Sequence, residues 1–280
     1  MSDERIHRAI SRDGTEIAGR VYGHGPPLVL VHGAVADGLS EWGPILPWLT
    51  DHYTCYLPDM RSRGLSGASD DLSRETRVRD VVAYVESIGE PVILVGVSGG
   101  GLLVLGAAAR TSAVRAVVAR EPVAYEALAD DIRERFSDAV EQMSAAVARG
   151  EGTDSVTPFL EIIANDDEFA AISGDQEALE EIASFLPLDL VEFRECLAFR
   201  GPSPTAPDQL QRITVPVLLL MGAETGSQWF RDSITYAAGH IPDARVHEIP
   251  GVGHIGHLVE PEQDARELLE QLGKLSVPVA

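Results

Sequence analysis

The sequence predicts an α/β protein, a doubly wound and mostly parallel sheet interrupted by one helical insertion. Three observations carry that prediction. Short apolar runs without polar alternation recur along the chain, as strands buried on both faces require. Segments of helical periodicity lie between them, which makes βαβ units. The alternation stops after Glu121 and resumes only near Val215, with helical patterns alone in between.

Taken in chain order, residues 6–10 and 15–22 flank Asp13-Gly14 and predict an antiparallel hairpin at one edge of the sheet. The runs at 27–32, 53–57, 91–96 and 114–119 predict the first four buried strands, and 215–221 and 245–249 the last two. Val78, Val81, Val82, Val85 and Ile88 recur at helical spacing with Arg and Glu opposite them. A helical segment is expected over 101–110, and Ala265, Leu268, Leu269 and Leu272 predict another helix near the end of the sequence.

Residues 122–200 hold 19 Asp/Glu and 5 Arg but no Lys, so they carry −14 of the net −22. Six of the seven phenylalanines also fall there: Phe136, Phe159, Phe169, Phe185, Phe193 and Phe199. The expectation is a cap, acidic outside and aromatic inside, with Gly201 to Pro207 leading back to the sheet. The predicted division is 1–121 and 213–280 for the sheet-bearing core and 122–212 for the helical cap.

Composition narrows the function. At 280 residues, 45% hydrophobic and 24% charged, the chain can bury a core without disulfide or metal staples. A net charge of −22 repels nucleic acid and anionic lipid, so no nucleic-acid or membrane partner is expected. Cys55 and Cys196 form no CxxC pattern, which excludes a cysteine zinc site and a disulfide framework as organising features. Cys55 reads as a buried hydrophobe. The start, Met1-Ser-Asp-Glu-Arg5, is charged and lacks an apolar stretch, and no run is long enough to span a bilayer. The expectation is a cytoplasmic protein acting on a small-molecule substrate, with no cofactor and no metal.

Gly96-Val97-Ser98-Gly99-Gly100 fits G-x-S-x-G between a buried strand and a helix. Its glycines permit a sharp turn that exposes the Ser98 hydroxyl above a helix N-terminus. The alternative is a glycine-rich turn whose serine only caps the helix. A phosphate loop is excluded, since no Gly-Lys-Ser/Thr follows. A serine needs a base to act as a nucleophile, and that base needs an orienting group. His254, on the glycine-rich loop after the last strand, is the candidate base. His257 reads as a pocket-wall or helix-entry residue.

These pieces together resemble the α/β-hydrolase family. The resemblance rests on Val31-His32-Gly33-Ala34, the stretch from Pro58 to Ser66, the Gly96 to Gly100 elbow, and Gly253-His254 followed by Glu260-Pro261-Glu262. It implies the chain order serine, acid, histidine. Members usually carry the acid as Asp three residues after the glycine that ends the strand before last. Here that glycine is Gly222, and the position holds Thr225. Some relatives place the acid at the end of the preceding strand, where this sequence has Arg120-Glu121-Pro122. That placement, with the stretch from Met221 to Phe230, resembles zearalenone lactonase-like members. Glu121 is therefore the expected acid and Glu224 the reserve. The family pattern also implies an oxyanion hole from the amides of Ala34 and Gly99, with His32 stabilising the turn and Asp59 and Arg61 bracing a loop.

The expected reaction is hydrolysis of a carboxylic ester or lactone of a neutral, fairly apolar compound through an acyl-enzyme. The cap's phenylalanines and Trp229 are expected to line an apolar pocket, and the acidic exterior argues against phosphorylated or coenzyme A esters. A carbon–carbon bond hydrolase using the same residues is an alternative. So is a hydrolase-fold protein that binds a ligand without turning it over, which the Thr225 departure keeps open. Epoxide hydrolases and haloalkane dehalogenases need an Asp where Ser98 stands.

Overall fold

The computed structural model describes residues 5–198 and 203–275. Phe199, residues 201 and 202 of the return segment and the first four residues of the chain lie outside them. The eight strands are β1 (Arg5–Ile10), β2 (Glu16–Gly23), β3 (Pro27–Val31), β4 (Thr54–Pro58), β5 (Val92–Val97), β6 (Val114–Arg120), β7 (Val217–Gly222) and β8 (Ala244–Ile249). They form one sheet in the order β1-β2-β4-β3-β5-β6-β7-β8. The hairpin pairs antiparallel, β2 runs antiparallel to β4, and every other pairing is parallel.

The helices that cover the sheet are α1 (Gly38–Trp42), α2 (Leu46–Leu49), α3 (Arg74–Ile88) and α4 (Ser98–Ala108). Between β6 and β7 come α5 (Asp130–Arg149), α6 (Thr157–Ile163), α7 (Asp166–Ser173), α8 (Gln176–Ala198) and α9 (Pro207–Leu210). The chain then adds α10 (Gln228–His240), α11 (Gly256–Val259) and α12 (Pro261–Lys274).

Alternation along the strands sorts the core into two layers, because successive side chains point to opposite faces. Val92 and Leu94 of β5 pack with Val78 and Val81 of α3, Leu102 of α4 and Ile234 of α10. Ile93, Val95 and Val97 pack with Trp42, Leu46, Leu268 and Leu272 from α1, α2 and α12. Each fully buried Leu, Val or Ile side chain contributes about 1.5–3 kcal/mol. This two-sided burial is why the strands read as uninterrupted apolar runs. A third cluster holds Phe136, Met143, Phe159, Leu186 and Phe193 of the helical segment together with Trp229 and Phe230 of α10. The six apolar runs of the sequence all form strands, and among the described residues 122–198 holds no strand. One boundary differs: the helix after β5 begins at Ser98 itself, not at Gly101. Both Cys55 and Cys196 are buried and free.

Parallel strands that run in one direction end on one edge, so the loops after β3, β5, β6, β7 and β8 converge there. These loops bring Ala34, Ser98, Glu121, Thr225 and His254 to the same edge, from positions more than two hundred residues apart in the chain.

Candidate active site

Ser98 stands at the strand-to-helix turn with φ +54°, a left-handed conformation that costs a non-glycine residue of order 1–3 kcal/mol. The turn is tight because α4 lies directly on the strands. A Cβ on Gly100 would meet His32 O at 2.4 Å, and one on Gly96 would meet Gly100 O at 2.5 Å. Only glycine fits at either place, which accounts for two of the three glycines of the motif. Val123 N donates to Ser98 O at 3.1 Å and ties the turn to the segment after β6.

Glu121 follows β6 with φ +40° and is fully buried. Its backbone N–H extends the β6–β7 ladder by donating to Leu220 O at 2.9 Å. The carboxylate spans two neighbours. Oε2 meets His254 Nδ1 at 2.6 Å. Oε1 accepts from Gly222 N at 2.7 Å and from the Thr225 hydroxyl. Burial alone would raise this carboxyl, but the His254 hydrogen bond and charge, helped by Arg120 and Thr225, hold it below the usual carboxylate range. Glu121 is ionised at neutral pH.

The His254 ring is 3% exposed and held on several sides. Phe230 stacks on it with centroids 3.8 Å apart and planes 7° from parallel. Arg120 donates to Gly253 O at 2.9 Å and to His254 O at 3.4 Å, with Asp264 pairing its other side. Glu168 of α7 accepts from Ile255 N at 2.9 Å. With Nδ1–H given to Glu121, Nε2 is the free acceptor. Ser98 and His254 line one cavity without a hydrogen bond between them. Such contacts commonly tighten only once substrate is bound.

His32 orders the loop that carries Ala34. Met60 N donates to His32 Nε2 at 3.0 Å, so the ring proton sits on Nδ1 and is donated to Gly33 O at 2.8 Å. Burial, with the nearby Arg63 charge, lowers His32 to about 4, which keeps it neutral. In a trans peptide the N–H points opposite the C=O, so fixing Gly33 O fixes the direction of the Ala34 N–H. Gly33 N donates to Glu41 Oε2 at 2.7 Å, and the other oxygen of Glu41 meets His257 Nε2 at 2.6 Å. Asp59 accepts from Gly38 N and Leu65 N, and Arg61 is gripped by Asp80 and Asp13, as bracing residues would be.

Glu224 does not join this set. Its side chain is exposed, and its backbone carbonyl accepts from Asn165 Nδ2 at 3.1 Å. Sequence reasoning missed the Thr225 hydroxyl on Glu121 and the Glu41–His257 pair. The threonine at the vacated acid position was the available signal for the first. For the second there was none, since Glu41 and His257 meet only through the fold.

Two cavities meet at Ser98. One is lined by Ser98, His254, Val35, Ile172, Ile182 and Leu258. The other, with about 680 Å³ of empty space including its mouth, is lined by Ser98, Gly99, Phe136, Phe193 and Trp229. Ala34, Phe159 and Ile163 border both. The second cavity departs from the expected apolar lining, because Arg63, Arg77 and Glu192 also form its wall. They come from the loop after β4, from α3 and from α8. Phe185 does not line either cavity and lies beneath the Arg63 guanidinium instead, 5.6 Å from ring centroid to Cζ. Among the described residues no group of three His, Cys, Asp or Glu side chains is arranged to hold a metal ion, and no helix is long and apolar enough to cross a membrane.

Comparison with known proteins agrees with this architecture. The chain is 37% identical to a pyrrolizixenacetamide deacetylase of Xenorhabdus hominickii over a stretch covering 31% of this chain and 34% of that protein. It is 38% identical to a pimeloyl-[acyl-carrier protein] methyl ester esterase of Xanthomonas oryzae pv. oryzae, over 36% of this chain and 40% of that one. The matches thus span well under half the length of these curated relatives. The crystal structure of an alpha/beta hydrolase from Sphaerobacter thermophilus superposes with a TM-score of 0.70 at 27% identity, covering 94% of this chain and 99% of that one. The model for the Alpha/beta hydrolase family matches residues 28–270, most of the sheet and its helices, and the chain belongs to that family.

Proposed function

We propose that this protein is a serine hydrolase that cleaves a carboxylic ester, or its cyclic form, a lactone, through an acyl-enzyme. The observation that carries the reading is the buried Glu121 carboxylate on His254 Nδ1, with His254 and Ser98 in one cavity. An ionised acid on Nδ1 leaves Nε2 to take a proton and stabilises the imidazolium that results.

The steps follow from the geometry. Ser98 Oγ attacks the carbonyl carbon as His254 Nε2 removes its proton. The Ala34 and Gly99 amides bind the oxyanion, and the His32 hydrogen bond keeps the first of them aimed. His254 then protonates the departing alcohol oxygen. Water, deprotonated by His254, attacks the acyl carbon, and Ser98 leaves with the proton from His254. The leaving group belongs in the cavity that His254 lines, and the acyl group in the one that Gly99 lines. Residues 122–212 act as a cap over Ser98, since α5, α6 and α8 supply cavity wall. The lactone sub-reading rests on the position of Glu121, at the end of β6 instead of after β7.

Fluorophosphonate labelling tests the reading. A single adduct on Ser98, absent in Ser98→Ala, followed by turnover of a panel of esters and lactones is expected. A folded protein that takes no adduct and hydrolyses neither class would sink it.

A further inference from the structure

Two parts of the molecule hold the backbone of His254, and one of them is not the sheet. Two peptide planes flank its Cα. The plane before it is fixed at Gly253 O, which accepts from Arg120 Nη2 at 2.9 Å. The plane after it carries His254 O and Ile255 N. Arg120 Nε reaches that oxygen only at 3.4 Å, whereas Ile255 N donates to Glu168 Oε1 at 2.9 Å. Peptide units are rigid, so holding both planes sets φ and ψ of His254 and hence where its side chain starts. Arg120 ends β6, but Glu168 belongs to α7, in the segment between β6 and β7. The same helix gives Ile172 to the wall of the cavity that His254 lines.

Glu168 does more than cap its helix. In a capping box the third residue of the helix reaches back to the N-cap backbone, and Glu168 does so, with Oε2 accepting from Asn165 N at 3.2 Å. That leaves Oε1 to spare, and an exposed carboxylate would give it to water. Glu168 is only 3% exposed, and its second oxygen goes to the loop of His254 instead. A buried carboxylate is tolerated only when its oxygens are bonded, so the contact is needed from both sides. The fit is close. A Cβ on Gly253 would meet Glu168 Oε2 at 2.4 Å and Asn165 Nδ2 at 2.5 Å, so the start of α7 rests directly on the residue before His254.

We infer that Glu168 is a positioning residue for His254, acting through the Ile255 N–H. This rests on the hydrolase reading and deepens it: the segment that walls the cavity also roots the base. Ser98 and His254 line one cavity from separate loops, and a displacement of about 1 Å between reacting groups can cost about a hundredfold in rate. Without Glu168 the second peptide plane keeps only the long Arg120 contact.

Three variants test this: Glu168→Ala, Glu168→Gln and Asn165→Ala. Their kcat is expressed per site titrated to completion by fluorophosphonate, so that lost folding is not counted as lost catalysis. Glu168→Ala should lower kcat by about tenfold to a hundredfold with KM within about threefold. Glu168→Gln keeps an oxygen for the Ile255 N–H and should recover kcat to within about threefold of wild type. Asn165→Ala removes the cap of the same helix and the bond from Asn165 Nδ2 to Glu224 O but leaves the Ile255 bond, and should cost less than about threefold. Wild-type kcat in Glu168→Ala, no recovery in Glu168→Gln, or an equal loss in Asn165→Ala each overturns the proposal. Deuterium exchange at the Ile255 amide needs no turnover. It should quicken by about tenfold or more in Glu168→Ala and far less in Asn165→Ala. That difference, in a protein that takes no adduct and hydrolyses neither esters nor lactones, refutes the hydrolase reading and leaves the Glu168 contact standing. Unchanged exchange in Glu168→Ala refutes the contact whatever the activity.

Discussion

Glu121→Gln separates the two carboxylates that the sequence offers as the acid, and the structure dictates how the substitution must fail. The amide has one acceptor and one donor end. At the Oε1 position the Gly222 N–H approaches at 2.7 Å, so a donor placed there would face a donor. The amide oxygen must take that side, and the NH2 then points at His254 Nδ1, 2.6 Å from the original Oε2. His254 can only answer by accepting at Nδ1, which moves its proton to Nε2 and disables the atom needed as base. The charge that stabilised the imidazolium is lost as well. A wrong tautomer of this kind lowers kcat by roughly 10³–10⁴, or about 4–5.5 kcal/mol at about 1.4 kcal/mol per tenfold. Glu224→Gln alters an exposed side chain and should leave kcat within about twofold. The assay is initial-rate hydrolysis by pH-stat, with the rate of fluorophosphonate modification of Ser98 as a second readout and circular dichroism as the folding control. If Glu224→Gln proves the more damaging change, or Glu121→Gln keeps more than a tenth of the wild-type kcat, the assignment of the acid is wrong.

Thr225→Val removes one of the two donors on Glu121 Oε1 while keeping the shape. It should cost about 1–3 kcal/mol of stability in urea titrations and lower kcat about tenfold, far less than Glu121→Gln. His32 titrates near 4 in the folded chain against 6.5 ordinarily, so the unfolded chain binds the extra proton between those values. Stability should therefore be fully present above pH 6.5 and fall by about 3 kcal/mol as pH drops through 4, a loss that denaturant titrations should find reduced in His32→Gln. Glu121, held below the usual carboxylate range, adds a loss of the same sign at lower pH, since its contribution is present above its unfolded value and disappears as it protonates in the fold. Glu41→Leu leaves His257 and Gly33 N without their buried partner and should destabilise by about 3–5 kcal/mol, read as a drop in Tm.

The sheet was legible because its physics is local. A strand buried on both faces must be apolar throughout, and the runs around Val29, Leu94, Val117 and Leu219 say so without help from the rest of the chain. Ser98 was legible for the same reason: the glycines that let α4 rest on β3 lie within two residues of it. His254 was legible because it sits on the one glycine-rich loop between the last strand and the last helix. The polar wall of the cavity that Gly99 lines was not. Arg63, Arg77 and Glu192 lie on three separate elements, and Arg63 and Glu192 are 129 residues apart. Each alone resembles a surface charge, and their convergence is a consequence of where α8 lands. Counting phenylalanines gave an apolar pocket because it could not say which of them face the cavity. Phe136, Phe159 and Phe193 do, whereas Phe185 supports an arginine instead.

The position of Glu121 has a physical rationale in its neighbours. β6 and β7 are paired in register, Arg120 opposite Leu220, so the ends of both strands approach His254 from the same edge. A carboxylate can reach the ring from either, but it has two oxygens and only one goes to histidine. At the end of β6 the other oxygen points across to the β7 loop, into the peptide N–H of Gly222 and the hydroxyl of Thr225. A carboxylate at position 225 would meet Glu121 there and raise one of the two pKa values. A threonine supplies a donor of the right reach. The absence of Asp at that position and the presence of Glu121 are thus two sides of one arrangement. The backbone carries the cost: among the described residues four non-glycine residues have positive φ, of which Ser98 and Glu121 directly follow strands β5 and β6 at this site, Val35 lies in the loop after β3 that borders it, and Ser62 lies in the loop after β4. Strain of about 1–3 kcal/mol per residue persists only where the surroundings over-determine the conformation. At Glu121 they do so through the Leu220 ladder bond, which fixes the backbone, and through the Gly222 and Thr225 donors and the His254 ring, three contacts that require the side chain to point where it does.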